Sequence, residues 1–283
     1  MTAPDETGFL QQMAASSLER VAAARRECSE AALLQRASTT PAPPPLRRNS
    51  AGFELIAELK LRSPAVGQLR SSAEDVATRV TTYARAGAAA VSVLTEPSRF
   101  DGAMSHLESA ARSLLPLSVP AMRKDFLVDP YQVIEARLAG AGGVLVILRM
   151  LSREGINALL DCARSLGLFV LLEAFDEHDI ALMHDIVGGR ASATAPVLAG
   201  LNCRDLTTLQ IVPGRLTELA HLLPAGVPRV AESGVTCAAD AARVAAAGYD
   251  YALVGSALMQ GGDPHALAAA MLKAGREKAA QLI

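Results

Sequence analysis

The sequence predicts an α/β fold, a (β/α)8 TIM barrel with an N-terminal helical extension, and three observations carry that prediction. Eight apolar runs of strand length, at 53–60, 89–95, 119–124, 143–148, 168–173, 197–202, 228–232 and 250–255, alternate with amphipathic stretches of helical period. An Ala-Gly pair precedes three of the runs, as Ala86-Gly87, Ala139-Gly140 and Ala247-Gly248, where glycine suits a left-handed helix C-cap. The residues that end the runs are polar, while their interiors are nearly all aliphatic. Eight such regularly spaced units fit a closed parallel barrel better than an open doubly wound sheet. Gly140-Ala141-Gly142 precedes a strand instead of following one, which excludes a dinucleotide-binding turn.

Taken in order, residues 9–36 have the pattern of a helical preface, with Leu10, Met13, Leu18, Val21, Leu33 and Leu34 recurring among Ala, Arg and Glu. The proline-dense stretch Pro41 to Pro45 then makes an extended connector. Residues 1–48 are thus read as extension and linker, and 49–283 as the barrel. The remaining helices fall at 72–86, 102–114, 130–139, 152–166, 176–187, 215–222, 236–247 and 264–281.

Composition bounds the function. With 283 residues, 51% of them hydrophobic, the chain can bury one large core. A formal charge of −2 and a pI near 6.2 give no basic field for nucleic acid or an anionic membrane. The four cysteines have no C-x-x-C pair and the five histidines no zinc spacing, which points to reduced thiols in the cytoplasm and no metal. The N-terminus has no secretory pattern and no apolar stretch reaches spanning length, so a membrane partner is not expected.

Barrel chemistry sits at the C-terminal ends of the strands. Here those ends carry Glu58 and Lys60; Thr95 and Glu96; Lys124 and Asp125; Arg149; Glu173; Asn202 and Arg204; Glu232 and Ser233; Gly255 and Ser256. Glu58 and Lys60 stand two apart, so a strand aims both to one side. Taken alone such a pair is a surface ion pair, but arginine outnumbers lysine 23 to four in this chain. Lysine retained at two strand ends, Lys60 and Lys124, suggests a need for a cation that can release its proton or bind phosphate compactly. Glu232-Ser233-Gly234 and Gly255-Ser256 end the seventh and eighth strands, where such barrels hold phosphate through close backbone approach and helix N-termini.

In these motifs the chain resembles the indole-3-glycerol-phosphate synthase family. The resemblance runs through Ile56-Ala57-Glu58-Leu59-Lys60 to Ser63-Pro64, Leu94-Thr95-Glu96 to Phe100-Asp101-Gly102, Arg123-Lys124-Asp125-Phe126 and Leu172-Glu173. It continues in Gly200-Leu201-Asn202-Cys203-Arg204-Asp205-Leu206, Glu232-Ser233-Gly234 and Val254-Gly255-Ser256-Ala257-Leu258-Met259. It implies conversion of 1-(2-carboxyphenylamino)-1-deoxyribulose 5-phosphate to indole-3-glycerol phosphate, with loss of carbon dioxide and water and with no cofactor or metal. The resemblance further implies that Lys124 is the general acid of ring closure, that Glu173 transfers protons and that Glu58 belongs to the same cluster. It gives Lys60 a phosphate contact and a part in dehydration, and makes Asn202, Glu232 and Ser233 further catalytic positions. Ser63, Phe100, Arg204 and Leu206 fall to substrate binding, and Gly234, Gly255 and Ser256 to phosphate.

Ring closure needs an acid usable at neutral pH. Lys124, read as an ammonium among other cations and apolar walls, is expected to have a lowered pKa. Arg204 offers a planar fork for the aryl carboxylate. Ala65-Val66, Ala103, the linker and the segment Val144 to Leu151 depart from the family pattern. Two alternatives share some of these features: another phosphate-binding barrel enzyme, such as phosphoribosylanthranilate isomerase, and a non-catalytic metabolite-binding barrel. The expected partner is a small phosphorylated substrate, and a monomer is compatible with the sequence.

Overall fold

The computed structural model describes residues 6–70, 75–188, 196–205, 208–260 and 262–281. Its strands are β1 (Glu54–Leu59), β2 (Ala90–Leu94), β3 (Ala121–Lys124), β4 (Gly143–Ile147), β5 (Phe169–Ala174), β6 (Val197–Asn202), β7 (Arg229–Glu232) and β8 (Tyr251–Val254). They pair in parallel in chain order, and the barrel closes because β1 pairs with both β2 and β8. Several helices begin at a side-chain cap. Asp75, Asp129, Ser152 and Asp263 each accept a backbone N–H from the first helical turn that follows. Gly87, Gly140 and Gly248 have φ of +101°, +86° and +89°, as the Ala-Gly junctions required.

The period of two along each strand sorts side chains into two layers. Leu55, Ala57, Leu59, Val91, Val93, Val144, Val146, Val170 and Leu172 point outward into the core under the helices. Ile56, Ala90, Met122, Leu145, Phe169, Leu171, Leu198, Val230, Tyr251 and Leu253 fill the barrel interior. The same parity then places Glu58, Lys124, Glu173, Asn202 and Glu232 on the inward side at the C-terminal ends. Apolar interior layers below and polar residues at the mouth follow from one alternation.

The helical preface is two helices, not one: α1 (Glu6–Glu27) and α2 (Glu30–Thr39). Ser29 breaks it by taking an extended conformation and accepting the Ala32 N–H with its hydroxyl, an N-cap the apolar periodicity cannot reveal. Leu10, Met13, Val21 and Leu33 are buried, whereas Leu18 and Leu34 face solvent. α1 packs onto the interior cluster, α2 packs with Val21 against Tyr131 and Ile134, and Leu46 of the linker returns to the interior cluster. Helix 215–222 is likewise shorter than its pattern, Arg215–Glu218 followed by a 3-10 turn. After β1, Arg62–Ser63 pairs with Gly67–Gln68 in a small antiparallel ribbon. Among the described residues no helix is long and apolar enough to cross a membrane, and the four cysteines are free thiols.

Candidate active site

The polar residues at the mouth fall into two linked groups. In the first, Lys60 Nζ lies 2.7 Å from Glu58 Oε1, so the acid and amine spaced two apart do meet. Gly255 makes this possible: a Cβ there would lie 2.1 Å from Glu58 Oε1 and 3.1 Å from Lys60 Nζ. In the second, Lys124 Nζ stands 3.6 Å from Glu232 Oε2 and 3.8 Å from Glu173 Oε2. Asn202 Nδ2 donates to Glu173 Oε1 at 2.5 Å, and its Oδ1 accepts the Arg204 N–H at 2.9 Å. That fixes one oxygen of Glu173 and leaves Oε2 toward the lysine. Glu173 Oε2 and both Glu232 carboxyl oxygens are buried without a hydrogen-bond partner among the described residues. Native structures hold few such atoms, and they gather where chemistry needs them free.

The charges push these groups in different directions. Burial alone would raise the pKa of Glu58, but Lys60, then Lys124 and Arg204, outweigh it and hold the carboxyl below its ordinary range. Burial raises Glu232, the neighbouring Glu173 charge raises it further, and Lys124 offsets only part, so its carboxyl stands well above the ordinary range. For Lys124 the structure reverses the expectation from sequence. Burial would lower its pKa, but Glu173, Glu232 and Glu58 surround it and raise it. The other lysine is already tied to Glu58, so the neighbours that decide are anions, not cations.

Facing this cluster is an apolar wall. Four of the chain's six phenylalanines, Phe9, Phe100, Phe126 and Phe175, line one cavity with Leu10, Leu94, Leu145 and Ile147. Phe126 meets Phe9 nearly edge-on at 5.8 Å between centroids and Phe100 at 6.1 Å. Phe9 and Leu10 come from α1 and were not legible as site residues; the amphipathic pattern showed that the helix buries a face but not against what. Polar contacts help hold α1 there. Arg20 donates to both Asp125 oxygens at 2.8 Å, and the Ser17 hydroxyl donates to the Phe126 carbonyl at 2.5 Å.

Not every polar strand end serves the cavity directly. Asp125 also accepts from Thr95 Oγ1 and Arg123 Nη2. Burial would raise this carboxyl, but Arg20 and Arg123 hold it far below its usual range. Asp125 and Thr95 are therefore scaffold that ties α1 to β3 beside Lys124. Glu96 caps the four-residue helix Pro97–Phe100 by accepting the Ser98 and Arg99 N–H groups, and so sets Phe100. Arg149 pairs with Asp176 and Asp179 and does not border the cavity.

The other expected residues line the same cavity: Ser63, Arg204, Ser233, Gly234, Gly255 and Ser256. Arg204 Nη1 donates to the Leu209 carbonyl at 2.6 Å, which steadies one edge of its fork. Ser233 and Gly234 have φ of +65° and +69°; left-handed backbone at a non-glycine residue stores of order 1–3 kcal/mol and concentrates at functional turns. Ser256 opens the short helix Ser256–Met259, capped by Gly255. Leu206 lies outside the described residues.

Lysines, carboxylates and an amide at the C-terminal mouth of eight parallel strands, in one cavity with an aromatic wall, define the class as a (β/α)8 barrel enzyme. The family model described as Indole-3-glycerol phosphate synthase matches residues 10–271, so the chain belongs to that family. Curated relatives carry the same name. The one from Parafrankia sp. (strain EAN1pec) is 40% identical over 81% of this chain and 81% of its own length. That from Mycobacterium leprae is 39% identical over 79% and 78%, and that from Nocardioides sp. 42% over 76% and 78%. Among solved structures, thiamine phosphate pyrophosphorylase from Pyrococcus furiosus superposes with a TM-score of 0.59 at 17% identity, covering 81% of this chain and 99% of that one. Orotidine 5'-phosphate decarboxylase from Pyrococcus horikoshii gives 0.57 at 15%, covering 78% and 99%. These two show the fold alone. The activity is that of the family, a carbon–carbon carboxy-lyase reaction that makes indole-3-glycerol phosphate for tryptophan.

Proposed function

We propose that the lysine–carboxylate cluster performs the ring closure and that Lys124 is its general acid. In this reaction the ring carbon that bears the carboxylate attacks the ketone carbon, and the carbonyl oxygen takes a proton. Carbon dioxide leaves and returns its electron pair to the ring. The new hydroxyl then departs as water with a second proton, and the methylene next to nitrogen gives one up. Two protons enter and one leaves, so one donor is not enough.

The observation that carries the reading is the placement of Lys124, charged at neutral pH, within 4 Å of two buried carboxylates and opposite the aromatic wall. Its ammonium carries the proton at neutral pH, held there by Glu173, Glu232 and Glu58, which also make it a weaker acid than a free lysine. Glu232, which holds its proton well above the usual range, is the group that can return one to Lys124 or to the departing hydroxyl. Glu58, held ionised, and Glu173, with Oε2 uncommitted, are the acceptors. Asn202 fixes Glu173, and Arg204 faces the aryl carboxylate. Lys60, Ser63, Ser233, Gly234, Gly255 and Ser256 border the phosphate end. In this reading residues 1–48 are an extension to the barrel 49–283, and the extension borders the cavity through Phe9 and Leu10 of α1. The reading takes a small phosphorylated substrate from the family, and includes a monomer in the cytoplasm without nucleic acid or membrane.

Ser256→Asp tests the phosphate end. A carboxylate there repels a phosphate, and Ser256 is half-buried at the first position of a helix, where a negative charge is tolerated, so KM should rise at least tenfold with folding kept. Inorganic phosphate should compete with substrate in the unaltered protein and lose that competition in the variant. An unchanged KM would move the phosphate elsewhere.

A further inference from the structure

The segment after β4, which departs from the family pattern, supplies a contact that the reaction scheme leaves unused. Arg149 places its guanidinium over the Phe175 ring at 4.7 Å from the centroid. Its Nε donates to Asp179 Oδ2 at 2.8 Å, and the same oxygen accepts the Phe175 backbone N–H at 2.9 Å. Asp179 is buried, and Asp176 takes a further bond from Arg149. One carboxylate thus holds both the backbone of Phe175 and the cation that covers its ring. Phe175 is buried with Leu10, Phe126 and Ile147, all of which border the cavity.

We propose that Phe175 is a specificity-determining wall for the benzene ring of the substrate, and that Arg149 and Asp179 are positioning residues that fix its ring. The proposal rests on the ring-closure reading, since it needs an aryl substrate. The physical argument is that a side chain's selectivity depends on its inability to move. A phenylalanine bounded only by aliphatic groups can swing to admit a bulkier ring. One whose face lies against a guanidinium with two carboxylate partners, and whose own N–H is tied to one of them, cannot swing without breaking that array.

The test compares kcat/KM for the unsubstituted carboxyphenylamino-deoxyribulose phosphate with that for an analogue carrying one methyl group on the benzene ring. An extra methyl against a fixed apolar wall is worth on the order of 10-fold or more in discrimination. Phe175→Leu should relax the discrimination about tenfold, with the loss on the unsubstituted substrate appearing in KM more than in kcat. Arg149→Met, which keeps the stem and removes the cation, should relax it in the same direction by about threefold. In the double variant the ratio should be no further relaxed than in Phe175→Leu, because Arg149 acts through the ring. A thermal melt establishes that each variant is folded. Discrimination unchanged in folded Phe175→Leu would overturn the wall. Discrimination unchanged in Arg149→Met, or additive effects in the double variant, would overturn the positioning role. Failure of the unaltered protein to turn over the unsubstituted substrate would overturn the ring-closure reading itself, and the proposal with it.

Discussion

Lys124→Arg is expected to lower turnover about as far as Lys124→Ala does, on the order of a hundred- to ten-thousandfold, the usual contribution of one general acid. Arginine keeps the positive charge among Glu58, Glu173 and Glu232 but does not release its proton in a protein. The two variants should separate in stability instead. Alanine removes the cation from beside Glu173 and Glu232, while Glu58 keeps Lys60, and breaking a buried pair from one side costs about 3–5 kcal/mol. Arginine retains the counter-charge and should melt closer to the unaltered protein. Steady-state turnover and thermal unfolding of the three proteins, measured side by side, check both halves. Near-normal turnover in Lys124→Arg would show that Lys124 supplies charge and not a proton.

Glu232→Gln should lower turnover by about a hundredfold and, unusually for a catalytic substitution, raise stability above neutral pH. The sign follows from the carboxyl's raised pKa in the fold. It titrates near 4.3 in the unfolded chain, by the ordinary glutamate value of about that size, but holds its proton to much higher pH when buried beside Glu173. The stability it contributes is therefore complete below the unfolded value and declines as pH rises toward and through the folded one. Glutamine keeps the shape and removes the titration. The variant should melt above the unaltered protein at pH 8 and converge with it near pH 4, each kcal/mol being worth about 2–4 °C in a chain of this size. Melting curves that differ by the same amount at both pH values would contradict the buried, protonated carboxyl.

Much of this site was legible because a barrel converts sequence parity into direction. Glu58 and Lys60 share a parity and meet at 2.7 Å; Lys124 and Asp125 differ by one residue and part company, one into the cavity and one toward Arg20 and Arg123. The pKa of Lys124 was not legible. It depends on carboxylates from β5 and β7, separated from it by 49 or more residues and brought near only by closure of the barrel. Arg149 ends an apolar run like the others, but its length lets it reach back to Asp176 and Asp179, and no local pattern shows that partner. The role of α1 was hidden for a related reason. A stripe of apolar residues records that a helix buries one side, while Phe9 and Leu10 acquire meaning only from the barrel mouth they cover.

The most direct measurement follows from the absence of tryptophan in the chain. Purified protein mixed with 1-(2-carboxyphenylamino)-1-deoxyribulose 5-phosphate should develop indole emission that can come only from product, with carbon dioxide released in equal amount. Lys124→Arg should leave both signals at least a hundredfold slower while still binding the substrate. Consumption of the substrate without indole emission, formation of that substrate from phosphoribosylanthranilate, or binding with neither signal would contradict ring closure at this cluster.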